Sequence, residues 1–237
     1  MPGTLYLIPT PLGDGPLEQV LPEAARRITA GLDTFIVEHP KTARAFLKKV
    51  GTALPLQRLE LLELNEHTRP AALDALLAPL LAGRDVGLLS EAGCPAVADP
   101  GADLVHLAHR SGIRVKPLVG PSAILLALMG SGLVGQRFAF HGYLPAKPEE
   151  RAQSLRELEK RAQKEEATQV FIETPYRNRA LLETILSTCR EDTLLTVACD
   201  LTLDTESILS QPVSGWRGKP VALDKRPCVF LLYAPGR

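Results

Sequence analysis

The chain lacks the cysteine pattern of a zinc-binding protein. Its four cysteines, Cys94, Cys189, Cys199 and Cys228, include no CxxC pair, and no His-x3-His partner accompanies them. Structural zinc sites use such closely spaced ligands, so we expect no metal site. The cysteines are instead predicted to be buried free thiols.

The chain also lacks a charge excess and a membrane-spanning run. Lys plus Arg and Asp plus Glu number 27 each, so long-range attraction to nucleic acid is not built into the whole surface, although a local basic patch is compatible with this balance. The most apolar segment, SAILLALMGSGLVG, is broken by glycines and too short to span a bilayer. The first residues do not resemble a signal peptide. These absences favour a protein of the reducing cytoplasm.

What the sequence does contain is an alternation of strand-like and helix-like segments. In residues 1–117, strands are predicted at TLYLI, DTFIVE, DVGLLS and IRVKPLV, with helices such as EQVLPEAARRITAG between them. This order predicts an N-terminal α/β domain with a mostly parallel sheet covered on both faces. Residues 118–237 form a second predicted α/β domain. Its charged helix from Lys147 to Lys164 could meet RNA, but a solvated surface is the favoured interpretation.

Three loops at the ends of predicted strands are candidates for a ligand site. They are IPTPLGDGP, SEAGCPAVADPG and VGPSA, and their glycines, prolines and small residues allow a flat ligand to approach the backbone closely. Any one loop could be a turn that only packs. Three of them at the carboxyl ends of successive strands favour a binding site at that edge of the sheet.

A glycine pattern from Gly130 to Gly135, GSGLVG, has the residue spacing of the dinucleotide-binding fingerprint but not its predicted structural context. The fingerprint must follow a strand and open a helix, whereas this stretch closes a predicted helix. We therefore predict a helix end and turn there, and a dinucleotide-dependent oxidoreductase is disfavoured.

The order of LYLIPTPLGD, SEAGCPAVADPG, VGPSA, RFAFHGYLPAK, FIETPYR and DLT resembles the ribosomal RNA small-subunit methyltransferase I family, within the tetrapyrrole-methylase superfamily. The resemblance runs from about residue 4 to residue 203. It implies an α/β fold of two domains, the second with a mixed sheet, and S-adenosylmethionine folded into the cleft between them. It also implies methylation of a ribose 2′-hydroxyl in small-subunit rRNA, and a homodimer.

Carried over by position, the resemblance implies cofactor contacts on several strand-end loops. The residues concerned are Pro11, Ser90, Ala92, Gly93, Pro95, Val97, Ser122, Ala123, Glu173, Thr174 and Ala198 or its neighbours. Glu91 is expected to border the cofactor. Asp99 is expected to cap the helix that begins near Gly101.

The sequence departs from the usual family pattern mainly where the substrate is expected. Glu38-His39-Pro40-Lys41 stands where the family has Glu-Asp-Thr-Arg, and His141-Gly142-Tyr143 stands where it has Glu-Gly-Phe. Lys cannot form the two-pronged contact that Arg makes with a phosphate. Two alternatives therefore stay open: methylation of a tetrapyrrole or another small acceptor, and a protein that binds S-adenosylmethionine without catalysis.

A hydroxyl acceptor needs a base, and two segments offer one. The first candidate is Glu38 with His39, and the second is the NEHTR group of Asn65, Glu66, His67 and Arg69, of which Asn65 and Glu66 match the family pattern. A histidine beside a glutamate, as in both segments, can be tuned as a base. The alternatives are a surface loop for the first segment and a helix cap by Asn65 or Thr68 for the second. For His141, a local hydrogen bond is favoured over catalysis.

Overall fold

The computed structural model describes residues 1–218 and 221–236. Within these ranges, no helix is both long enough and apolar enough to cross a membrane. The chain divides into two compact units, Met1–Ser122 and Ala123–Arg237. The sequence prediction sets the corresponding boundary between residues 117 and 118.

Unit 1 is a parallel sheet with helices on both faces, as predicted. Its five strands lie in the spatial order β3 (Glu60–Glu63), β2 (Thr34–Val37), β4 (Val86–Leu89), β1 (Thr4–Ile8) and β5 (Arg114–Pro117), and every pairing between them is parallel. The helix predicted at EQVLPEAARRITAG is two helices, because a proline lacks the amide hydrogen that a continuous helix needs. The elements are β1 Thr4–Ile8, α1 Leu17–Val20, α2 Glu23–Gly31, β2 Thr34–Val37, α3 Pro40–Val50, a 3-10 turn Leu56–Arg58, β3 Glu60–Glu63, a 3-10 turn Pro70–Ala72, α4 Leu73–Leu81, β4 Val86–Leu89, α5 Ala102–Arg110 and β5 Arg114–Pro117.

The core of unit 1 follows from the alternation of side chains along each strand. On β2, Phe35 and Val37 pack with Phe46 of α3, whereas Ile36 packs on the opposite face with Leu104 of α5. The strand is buried on both faces, which explains why its sequence is continuously apolar. The carboxyl ends of the parallel strands consequently meet at a single edge of the sheet.

Unit 2 contains the mixed sheet that the family resemblance implies. The strand order is β6 (Phe138–Tyr143), β7 (Thr168–Glu173), β10 (Cys228–Tyr233), β8 (Leu194–Cys199) and β9 (Ser207–Pro212), with β6 parallel to β7 and the other pairs antiparallel. The elements are α6 Ala123–Ser131, β6 Phe138–Tyr143, α7 Pro148–Glu165, β7 Thr168–Glu173, α8 Asn178–Thr188, β8 Leu194–Cys199, β9 Ser207–Pro212, α9 Val213–Trp216 and β10 Cys228–Tyr233.

The prediction that all cysteines are free is wrong for Cys199 and Cys228. They lie directly opposite each other on β8 and β10 and form a disulfide. Spacing along the sequence could not reveal this pair, because strand pairing brings them together across 29 residues. Cys94 and Cys189 are free thiols. Among the residues that the structure describes, no group of His, Cys, Asp and Glu side chains could hold a metal ion.

The glycine pattern GSGLVG lies at a helix end, as predicted. Helix α6 ends at Ser131, and Gly132 follows with a φ of 69°, a conformation that favours glycine. The Ser131 hydroxyl accepts a hydrogen bond from the Leu133 amide at 3.0 Å and closes the turn. This segment therefore does not have the strand-to-helix geometry of a dinucleotide site.

Candidate functional site: the carboxyl edge of the unit 1 sheet

The centre of the unit 1 sheet has the topology of a ligand-binding crevice. Strands β1 and β4 are neighbours, and the connections after them lead to opposite sides of the sheet, with β2 and β3 on one side and β5 on the other. In open α/β sheets, ligands bind at the carboxyl ends of strands at such a switch point. The loops after β1 and β4 are the first two of the three candidate loops.

These two loops are joined by hydrogen bonds. The Thr10 amide donates to the Gly93 carbonyl at 2.9 Å, and the Gly93 amide donates to the Thr10 carbonyl at 3.0 Å. The Thr10 hydroxyl donates to the Ser90 carbonyl, and the Ser90 hydroxyl donates to the Gly93 carbonyl, both at 3.2 Å. The bonds fix the two loops as one rigid wall.

The loop after β4 holds an unusual backbone. Gly93 has a φ of 82°, and Ala96 and Ala98, which are not glycines, both have a φ of 65°. A side chain in this region costs about 1–2 kcal/mol per residue, and such strain is concentrated at functional sites. The small residues of this loop are therefore a requirement of its backbone, in addition to leaving space for a ligand.

The third loop, which follows β5, packs against the first two. A Cβ on Gly120 would lie 2.4 Å from the Pro9 Cβ, so only glycine fits at this approach. The Cys94 thiol donates to the Pro121 carbonyl at 3.4 Å. The three loops that the sequence singles out are thus brought together at one edge of unit 1.

The predicted cofactor residues of these loops differ in how open they are. Ser90, Gly93 and Pro95 are buried and shape the wall, while Ala92 and Val97 are exposed and Pro11 is half-buried. Ala92 and Pro11 also line a cavity of about 260 Å³, together with Thr42 and Lys49 of α3. Their contact with a cofactor stays a prediction, as does that of Ser122 at the end of unit 1.

In unit 2, the remaining predicted cofactor residues lie at three separate elements. Ala123 begins α6, and Ala198 is fully buried within β8. Glu173 ends β7, where its carboxylate accepts hydrogen bonds from the Thr174 amide at 2.7 Å and from Arg177 Nε at 2.9 Å, and Arg177 Nη2 completes an ion pair at 2.7 Å. A cofactor role for these residues stays a prediction, and the ion pair gives Glu173 a structural role of its own.

A cluster of carboxylates lies beside the wall. Burial, and then the charge of Glu91, raise the pKa of Glu38 at the end of β2. One Glu38 oxygen, Oε2, is buried and has no hydrogen-bond partner among the described residues. Burial, and then the charge of Glu38, raise the pKa of Asp99 to about 6. Burial, and then mutual repulsion, therefore make the carboxylates of Glu38 and Asp99 hold a proton more tightly than free side chains do.

The expectation that Asp99 caps α5 is wrong. The N-cap of α5 is Gly101, and no side chain caps the helix. Gly101 has a φ of 135°, and this turn separates Asp99 from the helix end. The sequence analysis consequently missed Asp99 as a member of the carboxylate cluster. The sequence does contain a signal for the true N-cap, because Gly101 stands directly before the apolar repeat of α5.

His39 and Glu91 form an exposed pair at the start of α3. His39 Nδ1 lies 3.5 Å from Glu91 Oε1, and the Thr42 hydroxyl donates to the same Glu91 oxygen at 2.6 Å. The His39 side chain is 63% exposed, so solvent screens its charge strongly. The structure therefore brings the two candidate residues Glu38 and His39 to the same edge as the loops, with Glu38 the more enclosed.

The NEHTR segment is a self-contained turn. The Asn65 side-chain oxygen accepts from the His67 amide at 3.0 Å, and the Asn65 amide donates to the Thr68 hydroxyl at 2.9 Å. The alternative that Asn65 or Thr68 caps the following helix is wrong, because the N-cap of α4 is Ala72 and no side chain caps it. Asn65 and Glu66 do line a cavity of about 310 Å³ that Asp99 also lines.

His141 has a local partner. Its Nε2 lies 2.7 Å from the Gln169 side-chain oxygen on the neighbouring strand β7. The local hydrogen bond that the sequence analysis favours for this histidine is confirmed.

Comparison with known proteins identifies the class first. Residues 4–215 match the family of Tetrapyrrole (Corrin/Porphyrin) Methylases. The crystal structure of the methyltransferase CobJ has a TM-score of 0.63 at 19% identity, over 99% of this chain and 95% of that one. The uroporphyrin-III-C-methyltransferase of Thermus thermophilus has a TM-score of 0.55 at 21% identity, over 98% and 93%. The chain therefore belongs to the tetrapyrrole methylase family, with its fold, and is an S-adenosylmethionine-dependent methyltransferase.

Sequence relatives narrow the assignment. The Ribosomal RNA small subunit methyltransferase I of Escherichia coli O157:H7 is 34% identical over 211 residues, which are 89% of this chain and 70% of that protein. The protein of the same name from Xylella fastidiosa is 34% identical over 208 residues, 88% of this chain and 72% of that protein. The chain thus belongs to the ribosomal RNA small subunit methyltransferase I family, as its motifs indicate.

Proposed function

We propose that this protein methylates a ribose 2′-hydroxyl of small-subunit ribosomal RNA. The observation that carries the proposal is the hydrogen-bonded wall of small-residue loops, with a half-buried carboxylate cluster beside it. The relatives described above are named as methyltransferases of small-subunit ribosomal RNA, and they align with most of this chain.

The residues of the wall suit S-adenosylmethionine. An adenosine and a methionine need backbone hydrogen bonds and close approach more than they need charges. Gly93 supports this fit, because a Cβ there would lie 3.3 Å from the Leu12 side chain and the φ of 82° disfavours any side chain. We propose that the cofactor contacts are those that the resemblance implies, from Pro11 to Ala198.

When bound, S-adenosylmethionine supplies an electrophilic methyl group on a sulfonium. The protein must then hold the ribose hydroxyl in line and remove its proton. We assign proton removal to Glu38, because its buried oxygen lacks a partner and its raised pKa makes its carboxylate a stronger base. His39, Asn65 and Glu66 are proposed to position the acceptor.

The same function implies a location and an assembly. A protein that modifies ribosomal RNA works in the cytoplasm, and we propose that location. We also propose a homodimer, which the family resemblance implies. Sedimentation equilibrium of the purified chain checks the dimer directly.

Substitution of Ala92 tests the cofactor wall. Ala92 is exposed and lines the cavity of about 260 Å³, so the indole of Ala92→Trp should fill the space beside the loops. We expect this variant to bind S-adenosylhomocysteine at least tenfold more weakly in calorimetry. Ala24→Trp, on the exposed side of α2, is the matched control and should bind as the wild type does. Unchanged affinity in Ala92→Trp would show that the cofactor lies elsewhere.

The alternatives that the sequence left open are outcomes of a transfer assay. Labelled methyl groups should enter small-subunit rRNA that lacks modification. Label found only in a tetrapyrrole or another small molecule would replace the RNA function. Cofactor binding without label in either would support the non-catalytic alternative.

A further inference from the structure

Helix α3 carries a basic stripe that the candidate site does not use. Lys41, Arg44 and Lys48 are spaced at i, i+3 and i+7, so they share one face of the helix. All three are exposed, while Ala43, Phe46 and Leu47 form the opposite, buried face. We call these three cations the α3 stripe.

The stripe is unusual in a chain with no net charge. Helix α3 contains no acidic residue, and within the part of the chain that the structure describes, no carboxylate forms an ion pair with a member of the stripe. Lys49, which faces the neighbouring cavity, instead pairs with Asp14. The stripe is therefore a local excess of positive charge that the fold itself does not neutralise.

The position of Lys41 also opposes helix stability. Lys41 lies in the first turn of α3, where the helix dipole disfavours a cation, and Arg44 lies in the second turn, where the dipole has little effect. Nothing in the packing of α3 requires them, because both side chains point to solvent. A role outside the fold explains such residues better than stability does.

The long charged helix α7 shows the contrast. Its cations are matched by as many carboxylates, and Arg161 pairs with Glu165 at 3.0 Å and Lys147 with Glu150 at 2.9 Å. The buried Arg151 donates to the Thr184 hydroxyl at 3.0 Å. Helix α7 thus carries no net charge, whereas α3 carries only positive charge.

The stripe also begins at the candidate site. Helix α3 starts immediately after Glu38 and His39, and its Thr42 hydroxyl is bonded to Glu91 in the loop after β4. Seven residues of helix span about 10 Å, which is enough for more than one phosphate of a single strand. Arg44 can bind a phosphate with two hydrogen bonds, and the lysines act as point charges.

We propose that the α3 stripe of Lys41, Arg44 and Lys48 is a docking surface for the RNA phosphate backbone beside the methylated nucleotide. The inference rests on the proposed function, and it names the face of unit 1 by which the RNA is held. Contacts of this kind position the substrate and do not read its sequence.

The test compares two triple variants in binding of unmodified small-subunit rRNA across a salt series. Lys41→Gln/Arg44→Gln/Lys48→Gln removes the stripe, and Arg156→Gln/Lys160→Gln/Lys164→Gln removes the same charge from exposed positions of α7. Each lost phosphate contact on a single strand lowers the slope of log K against log salt by about 0.7. The stripe variant should therefore lose about 2 in slope and about 10- to 100-fold in affinity near 0.1 M salt. The α7 variant should keep most of the salt dependence and most of the affinity for rRNA.

The outcomes separate this inference from the proposed function. Calorimetry with S-adenosylhomocysteine should give the wild-type affinity for both variants, and circular dichroism should show both folded. If the wild type binds rRNA and the two variants have equal slopes, the stripe is not the docking surface, while the function stands. If the wild type binds the cofactor but no rRNA at any salt concentration, the RNA function itself is wrong, and the inference fails with it.

Discussion

Asp99→Asn should stabilise this protein at neutral pH, although it changes a residue of the candidate site. Burial and the charge of Glu38 raise the pKa of Asp99 from 3.8 to about 6. A carboxyl whose pKa is higher in the folded state binds more protons there than in the unfolded chain. Stability is therefore lost as pH rises from about 4 to about 6, and the cost is constant above that range. Asparagine resembles the protonated acid and does not carry this cost.

The size of the effect follows from the shift. At 1.36 kcal/mol per pKa unit, the full cost would be about 3 kcal/mol. Asp99 is only about half-buried, and solvent screening reduces the cost to about 1 kcal/mol. For a chain of this length, that corresponds to a melting temperature about 2–4 °C higher.

Thermal unfolding of the full chain, followed by circular dichroism at pH 4 and pH 7.5, measures the difference. The melting temperatures of variant and wild type should agree at pH 4 and diverge at pH 7.5. Asp204→Asn, which removes an exposed carboxylate, is the control and should show little difference at either pH. An Asp99→Asn variant that is less stable at pH 7.5, or a gap that does not depend on pH, would refute the reasoning.

Two further substitutions test the packing of the units. Gly120→Ala would set a Cβ 2.4 Å from the Pro9 Cβ and should cost about 1–3 kcal/mol of unfolding free energy, whereas Gly135→Ala meets nothing within 4 Å and should be near neutral in the same melts. Glu173→Gln leaves Arg177 without its carboxylate and should cost about 1.5–3 kcal/mol, because the Glu173 side chain is fully buried. An equal cost for both glycine variants, or no cost for Glu173→Gln, would contradict these assignments.

The sequence predicts the parallel sheet and the three candidate loops because both depend on local patterns. The sequence directly shows continuous apolar runs, such as the one on β2, and turns rich in glycine and proline. The break at Pro22 is visible too, but the apolar repeat on both sides of the proline conceals it.

Other features depend on contacts between distant residues. The Cys199–Cys228 disulfide exists because β8 and β10 pair, and the sequence does not state strand order. The raised pKa values of Glu38 and Asp99 arise first from burial and then from carboxylates that follow different strands and meet only at the sheet edge. The charge of α3 is visible in the sequence, but its lack of ion-pair partners within the described chain is a property of the fold.

Methyl transfer to RNA tests the central claim most directly. Purified protein is incubated with labelled S-adenosylmethionine and with small-subunit rRNA from cells that lack the modification, and the rRNA is digested to nucleosides. The account predicts label in a single 2′-O-methylated nucleoside, and it predicts that Glu38→Gln lowers the rate without weakening the binding of S-adenosylhomocysteine. Label on a base, or none in the rRNA when the protein binds the cofactor, would contradict it.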